Sequence, residues 1–226
     1  MKIRNIYFKK GIPFVSLSFL ILCIAVTLTA AIFPSTTESL MFCYPIRNPW
    51  GFITYVFHHY TPQYQIPPEL PYTSFKLSIG HFTYNMLLIL PFGILIEKVI
   101  KAKKILILLF VAWLFDVTAM LFMIVLFVPK GEPVAAKGGS GLAFALMPVG
   151  VYIIFVLGKK YGFGKLFKQV SFYFLMAMAI VTMVIAVSPT IAGMNMVVSM
   201  VLHLTAIVVG VVFAIVYRKT IKEYFE

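Results

Sequence analysis

The sequence predicts an all-α polytopic membrane protein with six transmembrane helices and both termini in the cytoplasm. Three observations carry this. Of 226 residues, 62% are hydrophobic and 12% are charged, a balance that no water-soluble domain has. Six apolar runs, at 13–33, 81–97, 105–128, 141–157, 170–187 and 196–217, are each long enough to cross about 30 Å of hydrocarbon as a helix. Fifteen of the nineteen lysines and arginines lie in alternate connecting segments, the side that the positive-inside rule assigns to the cytoplasm.

Residues 1–12 form a basic tail with Lys2, Arg4, Lys9 and Lys10. The run 13–33 is too long for the apolar core of a typical signal peptide and lacks a clear small-residue cleavage site, so it is expected to be the first span. Residues 34–80 make a long outer loop, more than a simple connection needs. Its first half carries Tyr44, Trp50, Phe52, Tyr55, Phe57 and Tyr60, which suits an element lying in the membrane interface. Pro62, Pro67, Pro68 and Pro71 leave its second half without expected regular structure. The second span, 81–97, contains Pro91 and Gly93, where a membrane helix can kink, and Lys98, Lys101, Lys103 and Lys104 follow it. The third, 105–128, has Asp116 near its middle. The fourth, 141–157, is closed by Lys159, Lys160, Lys165 and Lys168, and the sixth by Arg218, Lys219 and Lys222. No repeat or linker divides the chain, so residues 1–226 form a single membrane domain. The two cysteines, Cys23 and Cys43, offer no disulfide framework. The net charge of +12 belongs to this membrane topology rather than to a nucleic-acid partner.

Polar groups within spans are costly, and each is a functional candidate by default. Ser140 lies in Gly138-Gly139-Ser140-Gly141, at the outer start of the fourth span. His203 is about seven residues, or roughly 10 Å, into the sixth span. His81 and Asn85 open the second span on the same side, and their four-residue spacing puts them on one helix face. A serine becomes a nucleophile when a base takes its proton, and His203 has the right ordinary pKa to be that base. Asn85, His81 and the backbone N–H of Ser140 are candidate donors to a tetrahedral oxyanion. Asp116 is expected to lie deeper than the serine and to bond a neighbouring helix, which leaves a Ser–His dyad rather than a triad. His203, Ala206, Gly210 and Ala214 recur on one face of the sixth span, and Gly141 and Ala145 form a shorter small-residue face below Ser140. These faces predict direct packing of spans four and six.

The constellation resembles the rhomboid family of intramembrane serine proteases. His81-Phe82-Thr83-Tyr84-Asn85, followed by Phe92-Gly93 and Glu97, is similar to the family's HxxxN helix. Gly138-Gly139-Ser140-Gly141 matches its GxSG. His203 to Gly210 resembles its HxxGxxxG, with Ala206 in place of the first glycine. Trp50, Phe52-Ile53-Thr54 and His59 resemble its first loop. There are departures. Gly51 stands where the family has an arginine, Phe144 stands for a common tyrosine, and the segment between His59 and His81 is long, which leaves the first-loop structure open. The resemblance implies a six-helix, rhomboid-like core and a water-filled site open to the extracytoplasmic side of the plasma membrane. Ser140 and His203 would be catalytic, with His81 and Asn85 at the oxyanion. Gly138, Gly141, Phe144, Ala206 and Gly210 would pack the site, Phe144 stacking on His203. The substrates would be membrane-anchored proteins cut in or near their transmembrane helix, with the lipid bilayer as the other partner and no metal or cofactor.

Two other readings compete. A catalytically inactive rhomboid-like protein would bind membrane proteins without cutting them, but such relatives usually lack the serine or the histidine. A small transporter using His203 and Asp116 as a proton relay would show paired broken helices and a repeat, and neither is visible.

Overall fold

The computed structural model describes residues 11–63, 73–128, 134–187 and 196–226. Among the described residues the chain is mostly helical, with one small two-stranded sheet. The long helices are α1 (Phe14–Ile32), α4 (Ser74–Ile100), α5 (Ala102–Phe127), α6 (Ser140–Tyr161), α8 (Val170–Val187) and α9 (Met196–Val216). Between them lie α2 (Thr37–Leu40), strand β1 (Phe42–Tyr44), α3 (Gly51–Thr54), strand β2 (Val134–Ala136), α7 (Phe163–Phe167) and the terminal α10 (Arg218–Phe225). Among the described residues, four helices are long and apolar enough to cross a membrane, or five if α9 is counted together with α10, from which it is bent by 57°. A helix also occupies the segment 170–187. The chain is an all-α polytopic membrane protein.

The apolar runs and the helices coincide closely, with one displacement. The second span was expected to start at 81, but α4 starts at Ser74, about two turns earlier. Its first two turns contain Ser74, Lys76 and Ser78, too polar to register as a span. They are helical because the side chain of Thr73 caps the backbone N–H of Lys76 at 3.3 Å, which satisfies one of the open donors of a helix start. Ser78 also accepts the N–H of Thr61 at 2.8 Å, tying these turns to the loop. The helix runs on through Pro91 without interruption.

α6 is the axis of the bundle. Its side chains from Gly141 to Met147 are all buried, and α4, α5 and α9 pack around it. The outer helices instead turn large apolar side chains outward, such as Ile21 and Leu28 of α1, Phe110 and Phe122 of α5, and Val208 and Val212 of α9. An exterior this apolar suits lipid, not water. α1 is held to α4 by Glu97, whose carboxylate accepts the N–H groups of Val15 and Ser16, each at 2.9 Å, and the Ser16 hydroxyl at 2.8 Å. A carboxylate at a helix N-terminus meets the open donors and the positive end of the helix dipole.

The first half of the outer loop is ordered. β1 pairs antiparallel with β2, Cys43 opposite Ala135, so the loop is tied to the segment that leads into Ser140. Gly51 is buried, and a Cβ there would run into the Met41 carbonyl. No side chain fits at the position where the family has an arginine. Pro67, Pro68 and Pro71 lie outside the described residues.

Candidate active site

Ser140 is the first residue of α6, preceded by Gly139 at the cap, and no side chain caps this helix. The first turn therefore keeps open backbone N–H groups beside the serine, a local environment that favours negative charge. Two glycines let other elements approach this corner. Gly138 has φ +100°, and a Cβ on it would lie 2.5 Å from Cε1 of His81. A Cβ on Gly139 would lie 3.0 Å from the Val56 carbonyl oxygen. The Gly138 N–H donates to the Tyr55 carbonyl at 2.7 Å, so the 3-10 turn Tyr55–Phe57 holds the entrance to α6.

His203 approaches from α9, with Nε2 3.3 Å from Ser140 Oγ. That is marginally longer than the usual catalytic hydrogen bond of about 2.6–3.2 Å, as is common before substrate binds. One turn below the serine, Phe144 stacks on the imidazole, ring centroids 4.1 Å apart and planes inclined by 27°. Phe144 is fully buried, so the imidazole rests on a fixed wall. The close approach of the two helices comes from small residues. Ala206 is buried. A Cβ on Gly210 would strike the Ala145 carbonyl oxygen and lie 2.9 Å from Pro148 Cδ.

His81 and Asn85 lie on the same side of α4, but their contacts differ from a pair aimed at the serine. The His81 ring packs against Gly138 and lies 5.0 Å, centroid to centroid, from the ring of His59. Asn85 is fully buried, and its amide donates to the carbonyl of His81 at 2.9 Å, not to Ser140. Its Oδ1 is buried without a partner. The second amide proton of Asn85 remains for another acceptor.

Two expectations are corrected here. Asp116 is not deeper than the serine: a Cβ on Gly141 would lie 2.6 Å from Asp116 Oδ1, so the carboxylate is level with the start of α6. The reason is an offset along the helix axis. α5 continues from Asp116 to Phe127, roughly 16 Å beyond the point where α6 begins. Among the described residues, the side-chain bond of Asp116 is not to a neighbouring transmembrane helix. Its Oδ2 accepts the hydroxyl of Tyr55 from the loop at 2.7 Å. Gly141 faces Asp116 of α5, while the Ala145 carbonyl lies against Gly210 of α9. Asp116 and Tyr55 are the neighbours of the site that sequence reasoning undervalued. The rule that intramembrane carboxylates are functional by default pointed to the first.

Two buried histidines of the loop lie near the half-buried Lys137, which precedes α6. His58 and His59 are fully buried. Burial first, and the nearby Lys137 charge second, push His58 down to about 3. Burial likewise takes His59 down to about 4, against the opposing hydrogen bond from its ring to the Phe57 carbonyl. Lys137 is lowered to about 8 by burial, and its ammonium donates to the Tyr60 carbonyl at 2.9 Å. Among the described residues no group of three histidines, cysteines or carboxylates has the arrangement of a metal site.

Compared with curated proteins one at a time, the chain matches none. The family model described as Rhomboid domain matches residues 71–220. That match takes in the helices carrying His81, Asn85, Ser140 and His203, and it begins after Trp50 and His59. It covers well over half of the sequence, and its boundaries follow α4 to the start of α10. The chain belongs to the rhomboid family.

Proposed function

We propose that this rhomboid is an active intramembrane serine endopeptidase that cuts membrane-anchored proteins in or near their transmembrane helix. The observation that carries the reading is the 3.3 Å approach of His203 Nε2 to Ser140 Oγ at the uncapped start of α6. With Nε2 as the unprotonated ring nitrogen, His203 accepts the serine proton as Oγ attacks the scissile carbonyl. The resulting oxyanion meets the backbone N–H groups of the first turn of α6, with Asn85 and His81 as side-chain donors. His203 then returns the proton to the leaving amine, and water hydrolyses the acyl-enzyme by the same exchange in reverse. The chemistry needs no metal and no cofactor. Phe144 holds the imidazole plane, while Gly138, Gly141, Ala206 and Gly210 let the surrounding elements close on the site.

The topology that goes with this reading has six spans, both termini in the cytoplasm and a site opening to the extracytoplasmic side of the plasma membrane. Its support is the distribution of lysine and arginine along the chain. Its partners are transmembrane protein substrates and the lipid bilayer.

The test uses a fluorophosphonate probe and a model transmembrane substrate on the purified protein. The parent is expected to label and to cut, and Ser140→Ala and His203→Ala to do neither while still inserting. Absence of labelling in the parent, with retained binding of membrane proteins, would assign the chain to the inactive branch instead.

A further inference from the structure

The geometry points to an anionic phospholipid site at the end of the bundle opposite Ser140, its phosphate held by Lys159, Lys160 and Lys222 and an acyl chain lying against Phe155 and Val156. α6 carries Ser140 at its first position and Lys159 and Lys160 near its last. At 1.5 Å per residue these lie roughly 30 Å apart, the thickness of the hydrocarbon layer. This end is therefore one bilayer thickness away from the candidate active site and shares no residue with it.

α10 builds the floor of this end. It turns by 57° from α9 and buries Ile221 and Phe225 while Arg218, Lys219 and Lys222 stay exposed. A short helix with an apolar inner face and a basic outer face suits the membrane interface. Between α10 and the last turns of α6 is a cavity of about 370 Å³, lined by Phe155, Val156 and Phe225 and by the three lysines. Its size falls among small-ligand clefts of about 300–1,000 Å³.

The two lysines of α6 are held by named contacts. The ammonium of Lys159 lies 4.7 Å from the centre of the Phe155 ring, and Lys160 donates to the Phe225 carbonyl. Neither of the ion pairs found among the described residues includes Lys159, Lys160 or Lys222. One acidic residue, Glu226, lines the same cavity as the three lysines. A free anion would satisfy the charge but not the apolar wall. Phe155 is the only exposed apolar side chain of α6, and it joins the cavity to the outer apolar face of the bundle. Basic pockets between membrane helices with such a wall recognise anionic head groups, and each lysine contributes through its charge.

The experiment measures retention of phosphatidylglycerol and of phosphatidylcholine on the full chain in detergent, by native mass spectrometry during stepwise delipidation. The parent is expected to retain phosphatidylglycerol selectively. Lys159→Gln, Lys160→Gln and Lys222→Gln should each weaken it about fivefold, the ordinary effect of one lysine near an anionic surface. Glu226→Gln should tighten it. Lys101→Gln with Lys103→Gln, both exposed and outside the cavity, should change little. Equal retention of the two lipids, or an equal loss in the Lys101/Lys103 variant, would overturn the site. Displacement by millimolar inorganic phosphate regardless of acyl-chain length would assign the cavity to free phosphate and overturn the lipid. Circular dichroism checks folding, and Lys222→Gln, on an exposed position of α10, carries the test alone should the α6 variants not fold. Because binding is read without substrate, failure here leaves the protease reading untouched.

Discussion

The hydroxyl of Tyr55 donates to the carboxylate of Asp116 at 2.7 Å, and the carbonyl of the same tyrosine accepts the N–H of Gly138 at 2.7 Å. One loop residue thus grips both α5 and the corner that leads into Ser140. Both partners of the side-chain bond are buried. Leaving either one unsatisfied should cost about 1–3 kcal/mol. Tyr55→Phe and Asp116→Ala are each expected to lower stability by that order. The double variant should lose less than the sum, with a coupling of about 1 kcal/mol or more. Denaturation of the four proteins in detergent measures it, and additive effects would show that the bond does not act as a unit.

The stacking of Phe144 on His203 gives a kinetic expectation. An aromatic pair contributes about 0.5–1.5 kcal/mol beyond burial, so Phe144→Ala should lower kcat/KM by about 2- to 10-fold through kcat. Phe144→Tyr keeps the ring face and should stay near the parent. His203→Ala removes the base itself and should cost about 10²–10⁴. A purely structural role for Phe144 would appear instead as lost stability with unchanged kcat in the folded fraction.

Packing gives a third expectation. Gly210→Leu meets the Ala145 backbone and Pro148, neither of which can turn aside, so α9 must move away from α6. A displacement of about 1 Å at a catalytic pair can cost about a hundredfold in rate. Gly141→Ala instead meets the Asp116 carboxylate. Its defect should be relieved in an Asp116→Ala background, whereas that of Gly210→Leu should not. Cleavage rates and probe labelling of the single and paired variants decide this. Equal relief of both would mean that the two glycines face the same neighbour.

The loop histidines predict the pH dependence of stability. Folding lowers His58 from 6.5 to about 3 and His59 from 6.5 to about 4. The unfolded chain therefore binds more protons below pH 6.5, and stability falls as the pH drops. It should be complete above pH 6.5 and decline progressively toward about pH 3, with Lys137 adding repulsion to each histidine that gains a charge. His58→Phe should flatten the decline. A melting temperature that is constant or rising over this range would contradict the burial of neutral histidines as a determinant of loop stability.

Much of the architecture was legible because it is local. Continuous apolar runs locate α1, α5, α6, α8 and α9 to within a few residues, since a membrane helix must satisfy its own backbone. Helical periodicity alone puts His203, Ala206 and Gly210 on one face of α9. The start of α4 was missed because its first turns are held by Thr73 and by contacts of Ser78 with the loop, and polar turns leave no apolar signal. The position of Gly51 within the first loop was likewise not readable, because what excludes a side chain there is the backbone of Met41.

By itself the sequence determined which segments form long apolar helices, to within a few residues except at the start of α4, and which side chains share a helix face. Only the tertiary structure decided the offsets between helices. Those offsets set Asp116 level with Gly141, turned Gly141 to α5 and Gly210 to Ala145, and brought His203 within 3.3 Å of Ser140. The physical reason is that hydropathy and periodicity act along one chain segment at a time. The height at which one helix stands against another is a balance of packing between residues far apart in sequence, and no local pattern records it.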